Sequence, residues 1–240
     1  MTAPLHFEEV GRGDPPIVLV PGWCCDLSTL APTAEHLAAG HRVVSVDLPG
    51  HGRSAFGGGA LSMSDIVAAV RATTTALGVE KPVLIGHSLG GRLVLAIVQA
   101  DPGFAAAAVL LDSVIDDPPA NVAARRAELE GPDWETALSR RFSGLGSPQA
   151  LVDSMLGTPR DAALAVLVAS DEFDAAAAVA ACRVPLLYIG APNPRAEEAR
   201  LQELNPRLVY RQVAASGHFV QLDAAPEVNA IVDTFLGGPR

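Results

Sequence analysis

The pentapeptide Gly86-His87-Ser88-Leu89-Gly90 stands between an apolar run, Pro82 to Ile85, and a helix-like run, Arg92 to Ala100. A serine on so sharp a junction of strand and helix must adopt a strained backbone. Glycines two positions to either side let neighbouring backbone approach closely while the hydroxyl is held clear. The helix that begins there aims free N–H groups and its positive pole at any anion forming beside the serine. The junction therefore demands strand, turn and helix in that order.

The rest of the chain supplies the matching rhythm. β-Branched runs at Ile17 to Val20, Arg42 to Val46, Val83 to Ile85, Ala108 to Leu111, Pro185 to Ile189 and Leu208 to Val213 read as strands. Thr29 to Ala39, Ser64 to Leu77, Leu89 to Ala100 and Glu227 to Phe235 carry apolar residues every three or four positions and read as helices. Their alternation predicts an α/β fold, a mostly parallel sheet flanked by helices, with the site in loops beyond the carboxyl ends of the strands. From Val114 to Arg183 no strand pattern occurs, and Pro118-Pro119, Gly131-Pro132, Gly144 to Pro148 and Gly157-Thr158-Pro159 punctuate the stretch into about four helices. Residues 1–113 and 184–240 are thus expected to form the core, and 114–183 a helical cap inserted before the penultimate strand and roofing a pocket.

Charge narrows the class of partner. The chain has 27 acidic against 17 basic residues, a net charge of -10, which argues against nucleic acid or an anionic membrane surface and toward a small-molecule substrate. No apolar run approaches membrane-spanning length, and the stretch from Met1 to Glu9 lacks the basic and apolar parts of a leader, so a soluble cytoplasmic protein is expected. Cys24, Cys25 and Cys182 cannot form an even disulfide framework, which suits a reducing compartment. The histidines show no metal-binding spacing, and nothing calls for a metal or a cofactor. Self-association into a homo-oligomer is left open.

A serine hydroxyl is a poor nucleophile at neutral pH and needs a general base, itself oriented by a carboxylate. His218, in Ala215-Ser216-Gly217-His218-Phe219 directly after the last strand, is the expected base. In the loop Val20-Pro21-Gly22-Trp23-Cys24-Cys25-Asp26, the glycine lets a backbone N–H reach the reacting oxygen. The N–H groups of Trp23 and Leu89 are assigned to the oxyanion, and Trp23, Cys24, His87 and Phe219 to contact with substrate. The Trp23 indole would serve equally in packing that loop against the cap. A cysteine nucleophile at Cys24 or Cys25 has no partner motif. Arg125, Arg126, Arg140 and Arg141 would recognise a substrate carboxylate if they point inward, although such arginines more often face solvent.

Taken together, Gly86 to Gly91, Asp47-Leu48-Pro49-Gly50-His51-Gly52-Arg53-Ser54 and Ser216-Gly217-His218 resemble the α/β-hydrolase superfamily over nearly the whole chain. The resemblance gives Asp47 to Ser54 an architectural role. In many members the acid follows the penultimate strand shortly after a glycine, but here Tyr188-Ile189-Gly190-Ala191-Pro192-Asn193 offers a neutral amide. Some members place the acid one strand earlier, and Asp112, after Ala108 to Leu111, fits that alternative. A turn-capping role for Asp112 is the competing reading, and Glu197 and Glu198 are weaker candidates for the acid. The resemblance implies an acyl-enzyme on Ser88 with His218 as base and Asp112 as orienting acid, acting on a small ester, lactone, thioester or activated amide. Pro21-Gly22-Trp23-Cys24 and an acid in this position also resemble the cofactor-independent ring-cleaving dioxygenases of the same fold, in which a His and Asp pair deprotonates a heteroaromatic substrate. Those enzymes carry histidine after the serine where this chain has Leu89, which favours hydrolysis. C–C bond hydrolysis and a non-catalytic ligand-binding protein on the same scaffold remain further alternatives.

Overall fold

The computed structural model describes residues 4–237. Seven strands form one sheet: β1 (Phe7–Val10), β2 (Ile17–Val20), β3 (Val43–Val46), β4 (Val83–His87), β5 (Ala107–Leu111), β6 (Leu186–Gly190) and β7 (Val209–Gln212). Their spatial order is β1-β3-β2-β4-β5-β6-β7, with β1 antiparallel to β3 and every other pair parallel. Strands β2 to β6 are buried along their whole length, as expected of parallel strands covered on both faces, whose sequences run apolar without alternating.

Successive side chains nonetheless serve opposite faces. Val18, Val20, Leu84, Ala108 and Leu110 enter one apolar core, and Ile17, Leu19, Val83, Ile85 and Val109 enter the other. The first core is closed by α2 (Met63–Ala76) and α3 (Leu89–Ala100), the second by α1 (Ala31–Leu37) and α11 (Ala225–Leu236). Helix α2 starts from a reciprocal cap: Ser62 Oγ accepts from the Asp65 N–H, and Asp65 Oδ2 accepts from the Ser62 N–H.

Between β5 and β6 lie five helices: α4 (Pro119–Leu129), α5 (Trp134–Ser143), α6 (Gln149–Leu156), α7 (Arg160–Asp171) and α8 (Ala175–Ala181). The four proline- and glycine-bearing breaks open α4 to α7 as the sequence suggests. The fifth helix is capped by Asp174, whose carboxylate accepts from the Ala177 N–H, a start without the glycine or proline that marks the others. Helices α9 (Glu198–Leu204) and α10 (Val220–Asp223) complete the chain. Among the described residues no helix is long and apolar enough to cross a membrane.

Arg92 of α3 ties this helical segment to the sheet. It donates to Val114 O at 3.0 Å, Ser170 Oγ at 3.0 Å, Ser170 O at 2.7 Å and Phe173 O at 2.6 Å. On the opposite flank, the buried Asp47 takes N–H bonds from Leu27 at 2.8 Å and Arg53 at 2.9 Å and faces His6 Nδ1 at 2.7 Å, which binds three loops together.

Candidate active site

Ser88 caps α3 with φ 54° and ψ -116°, a conformation that non-glycine residues adopt only when their surroundings enforce it. Two close backbone approaches provide that enforcement. A Cβ on Gly86 would collide with Gly90 O, and one on Gly90 would collide with the carbonyls of Val20 and Pro21, so neither position tolerates a side chain. The strand, the turn and the oxyanion loop are thereby packed backbone to backbone, and the Ser88 side chain faces a cavity of about 240 Å³ at the carboxyl ends of β2, β4 and β5.

His218 comes to this serine from the loop after β7. Its Nε2 lies 2.9 Å from Ser88 Oγ and its Nδ1 lies 2.7 Å from Asp112 Oδ2. Three contacts hold that loop: the His218 N–H donates to Leu145 O at 3.3 Å, the Gly217 N–H donates to Asp223 Oδ2 at 2.8 Å, and His87 Nε2–H donates to His218 O at 3.1 Å. The bond to a carbonyl assigns the His87 proton to Nε2 and leaves Nδ1 as a lone pair. Burial holds the His87 pKa well below the ordinary histidine value, and the neighbouring His218 adds to the effect. Burial also lowers the pKa of His218; Arg195 and Arg141 reinforce that shift, and the Asp112 carboxylate opposes it.

Asp112 sits one residue beyond β5, at φ 42°, and is almost fully buried. Its second oxygen accepts from the N–H groups of Ala191 at 3.3 Å and Arg195 at 3.1 Å. The loop after β6, where the commoner pattern would put the acid, here donates two backbone N–H groups to an acid from the neighbouring strand. Asn193 of that loop is exposed, as are Glu197 and Glu198.

The Leu89 N–H opens α3 and has no preceding turn to donate to, and the Trp23 N–H likewise has no acceptor among the described residues. Both residues line the cavity beside Ser88. The Trp23 indole faces both the cavity and the helical segment. It lines the cavity, and it also donates to Ala163 O of α7 at 2.7 Å and meets Trp134 edge-on at 5.9 Å between ring centroids. His87 and Phe219 line the cavity as well, with their rings 4.8 Å apart. Cys24 does not; Cys25 lines it instead. Between the cavity residues Trp23 and Cys25, Cys24 takes a left-handed φ of 59°. Burial pushes both thiols up, which leaves neither a nucleophilic thiolate.

Of the four arginines singled out above, Arg140 pairs with Glu128 on the surface and Arg126 pairs with Asp171, while Arg125 and Arg141 reach the cavity. Sequence reasoning missed Arg195, a further cavity residue, because nothing in the string after Pro194 marks its direction.

Residues 17–231 match the model of the alpha/beta hydrolase family. The chain is 33% identical over 136 residues to pimeloyl-[acyl-carrier protein] methyl ester esterase of Xanthomonas campestris pv. campestris, a match covering 57% of this chain and 47% of that protein. It is also 36% identical over 107 residues to the dihydrolipoyllysine-residue acetyltransferase component of the acetoin cleaving system of Pseudomonas putida, covering 45% of this chain and 29% of that one. The matches thus span about half or less of these curated relatives. Among solved structures, an enol-lactonase from Burkholderia xenovorans LB400 superposes with a TM-score of 0.85 at 22% identity, covering 97% of this chain and 96% of that one. An esterase from Thermogutta terrifontis gives 0.85 at 21%, covering 97% and 92%. Identities this low speak to the fold, which both share with the present chain. With the family model matched across nearly its whole length, the chain belongs to the alpha/beta hydrolase family.

Proposed function

We propose that this protein is a serine hydrolase that cleaves a small ester, lactone, thioester or activated amide through an acyl-enzyme on Ser88. The observation that carries the reading is the continuous line from Asp112 Oδ2 through the His218 ring to Ser88 Oγ, with links of 2.7 Å and 2.9 Å. His218, neutral at physiological pH, removes the serine proton as Oγ attacks the carbonyl carbon. Asp112 accepts from Nδ1–H, which fixes the tautomer with its lone pair on Nε2 and stabilises the imidazolium that forms. The N–H groups of Trp23 and Leu89 receive the oxyanion. The imidazolium then protonates the leaving group, and a water activated by the same imidazole releases the acid.

Helices α4 to α8, within residues 114–183, act as a lid over the cavity, whose modest volume favours a short acyl chain. The esterase and lactonase names of the relatives and structural neighbours agree with this bond class.

Turnover of short and aromatic esters, thioesters and lactones by the wild type and by Ser88→Ala, with oxygen consumption followed in parallel, tests the reading. Hydrolysis that is lost in Ser88→Ala supports it. Oxygen uptake that survives in Ser88→Ala would replace it with cofactor-free oxygenation.

A further inference from the structure

The cavity beside Ser88 is lined by four arginines, Arg92, Arg125, Arg141 and Arg195, and by four aspartates, Asp116, Asp117, Asp171 and Asp174. Most of these charges are spent on one another or on the backbone. Arg125 is gripped by Asp117 and Asp171, and Asp116 pairs with Arg200 at 2.7 Å. Asp174 caps α8, and Arg92 is satisfied by three carbonyls and a hydroxyl. Arg141 and Arg195 are left over. Neither guanidinium forms an ion pair or a hydrogen bond among the described residues, and Arg195 Nε is buried without a partner.

Leaving two guanidinium groups half-buried and uncompensated is costly, because a desolvated cation needs an anion or several acceptors to offset the loss of water. Arg141 stands near the end of α5, one turn before Leu145, whose carbonyl receives the His218 N–H. The Arg195 N–H is held by Asp112. Arg195 is thus held directly by Asp112 through its backbone, and Arg141 belongs to the helix whose following turn receives His218.

Resting on the hydrolase reading above, we propose that the substrate carries a free carboxylate in addition to its scissile acyl bond, and that Arg141 and Arg195 bind that carboxylate. The planar guanidinium fork suits a carboxylate. Asp174, a cap without a cationic partner among the described residues, also lines the cavity and favours a compact monoanion over a dianionic phosphate.

The test compares monomethyl with dimethyl esters of succinate, glutarate and adipate, pairs that differ only in the second carboxyl group. The wild type is expected to favour at least one half-ester over its diester in kcat/KM. Arg141→Gln and Arg195→Gln should each reduce that preference by about 10- to 100-fold, chiefly through KM, as expected for a lost hydrogen bond to a charged group. Lysine at either position, which keeps the charge but loses the fork, should restore part of it. Calorimetric titration of Ser88→Ala with monomethyl glutarate and dimethyl glutarate reads binding without turnover, and the half-ester should bind more tightly. Equal handling of half-esters and diesters by a wild type whose Ser88 still reacts with a fluorophosphonate would overturn the carboxylate subsite and leave the hydrolase reading standing. A preference unmoved in either glutamine variant would overturn the assignment of these arginines. Failure of Ser88 to react, with no ester cleaved, would remove the hydrolase reading and this inference with it.

Discussion

Replacing Asp112 with asparagine discriminates between an orienting acid and a turn cap, and the structure sets its outcome. One carboxylate oxygen faces two backbone donors, the Ala191 and Arg195 N–H groups, and the other faces His218 Nδ1. An asparagine amide offers one oxygen and one NH2 group in the same space. If the NH2 group turned toward the two N–H groups, both buried donors would lose their acceptor, at about 1–3 kcal/mol each. The amide oxygen therefore stays with the backbone and the NH2 group meets Nδ1. An imidazole that accepts at Nδ1 carries its proton on Nε2, where it can no longer take the proton of Ser88.

In Asp112→Asn, kcat is expected to fall on the order of 10⁴-fold, the loss known for a wrongly protonated imidazole in a serine triad, or about 5 kcal/mol at 1.36 kcal/mol per tenfold. Steady-state hydrolysis of an activated ester measures this, with the thermal midpoint as a check on folding. Asn193→Ala, at an exposed position, should leave kcat within about twofold of wild type. Retention of more than a tenth of wild-type kcat by folded Asp112→Asn, or an equal loss in Asn193→Ala, would refute the tautomer argument.

Titration of His218 supplies a second expectation. Its pKa is lowered in the folded protein and its neutral form is the active base, so kcat/KM should rise with pH through a value below the usual 6.5, measurable as the acid limb of the pH–rate profile. His51, His87 and His218 all have folded pKa values depressed by burial, so the unfolded chain binds more protons below about pH 6.5. Their contribution to stability is complete above that pH and is lost on acidification, and the thermal midpoint should drop between pH 7 and pH 5. Trp23→Phe removes the indole donor to Ala163 O, a carbonyl inside α7 that keeps its helical partner, so the change should cost about 0.5–1.5 kcal/mol on a denaturant curve.

The sheet was legible because its central strands are continuous apolar runs and its helices carry a clean three-to-four spacing. Helix α3 begins and ends where the sequence places it, and β2 agrees to the residue. Strand β1 escaped notice. Phe7-Glu8-Glu9-Val10 is exposed throughout and carries two glutamates, so only its pairing with β3 makes it a strand. Adjacent arginines on a helix point about 100° apart, so the doublet Arg140-Arg141 diverges, with Arg140 on the surface and Arg141 at the cavity, but which is which depends on packing that the string does not display. The string likewise does not show that Cys25 rather than Cys24 lines the cavity, since a left-handed φ at a non-glycine residue has no reliable signature. Ser88 and His218 were readable from local motifs. Asp112 emerged only because Asn193 cannot bear the charge, and Arg195 remained hidden because its role lies in an unmatched charge, a property of the folded cavity.

The central claim concerns Ser88 as a nucleophile activated by His218. Mass spectrometry of the protein after reaction with a fluorophosphonate, followed by peptide mapping, tests it most directly. One adduct on Ser88 is expected in the wild type, with labelling slowed at least a hundredfold in His218→Ala and abolished in Ser88→Ala. An adduct elsewhere, or labelling of Ser88 at an undiminished rate without His218, would contradict it.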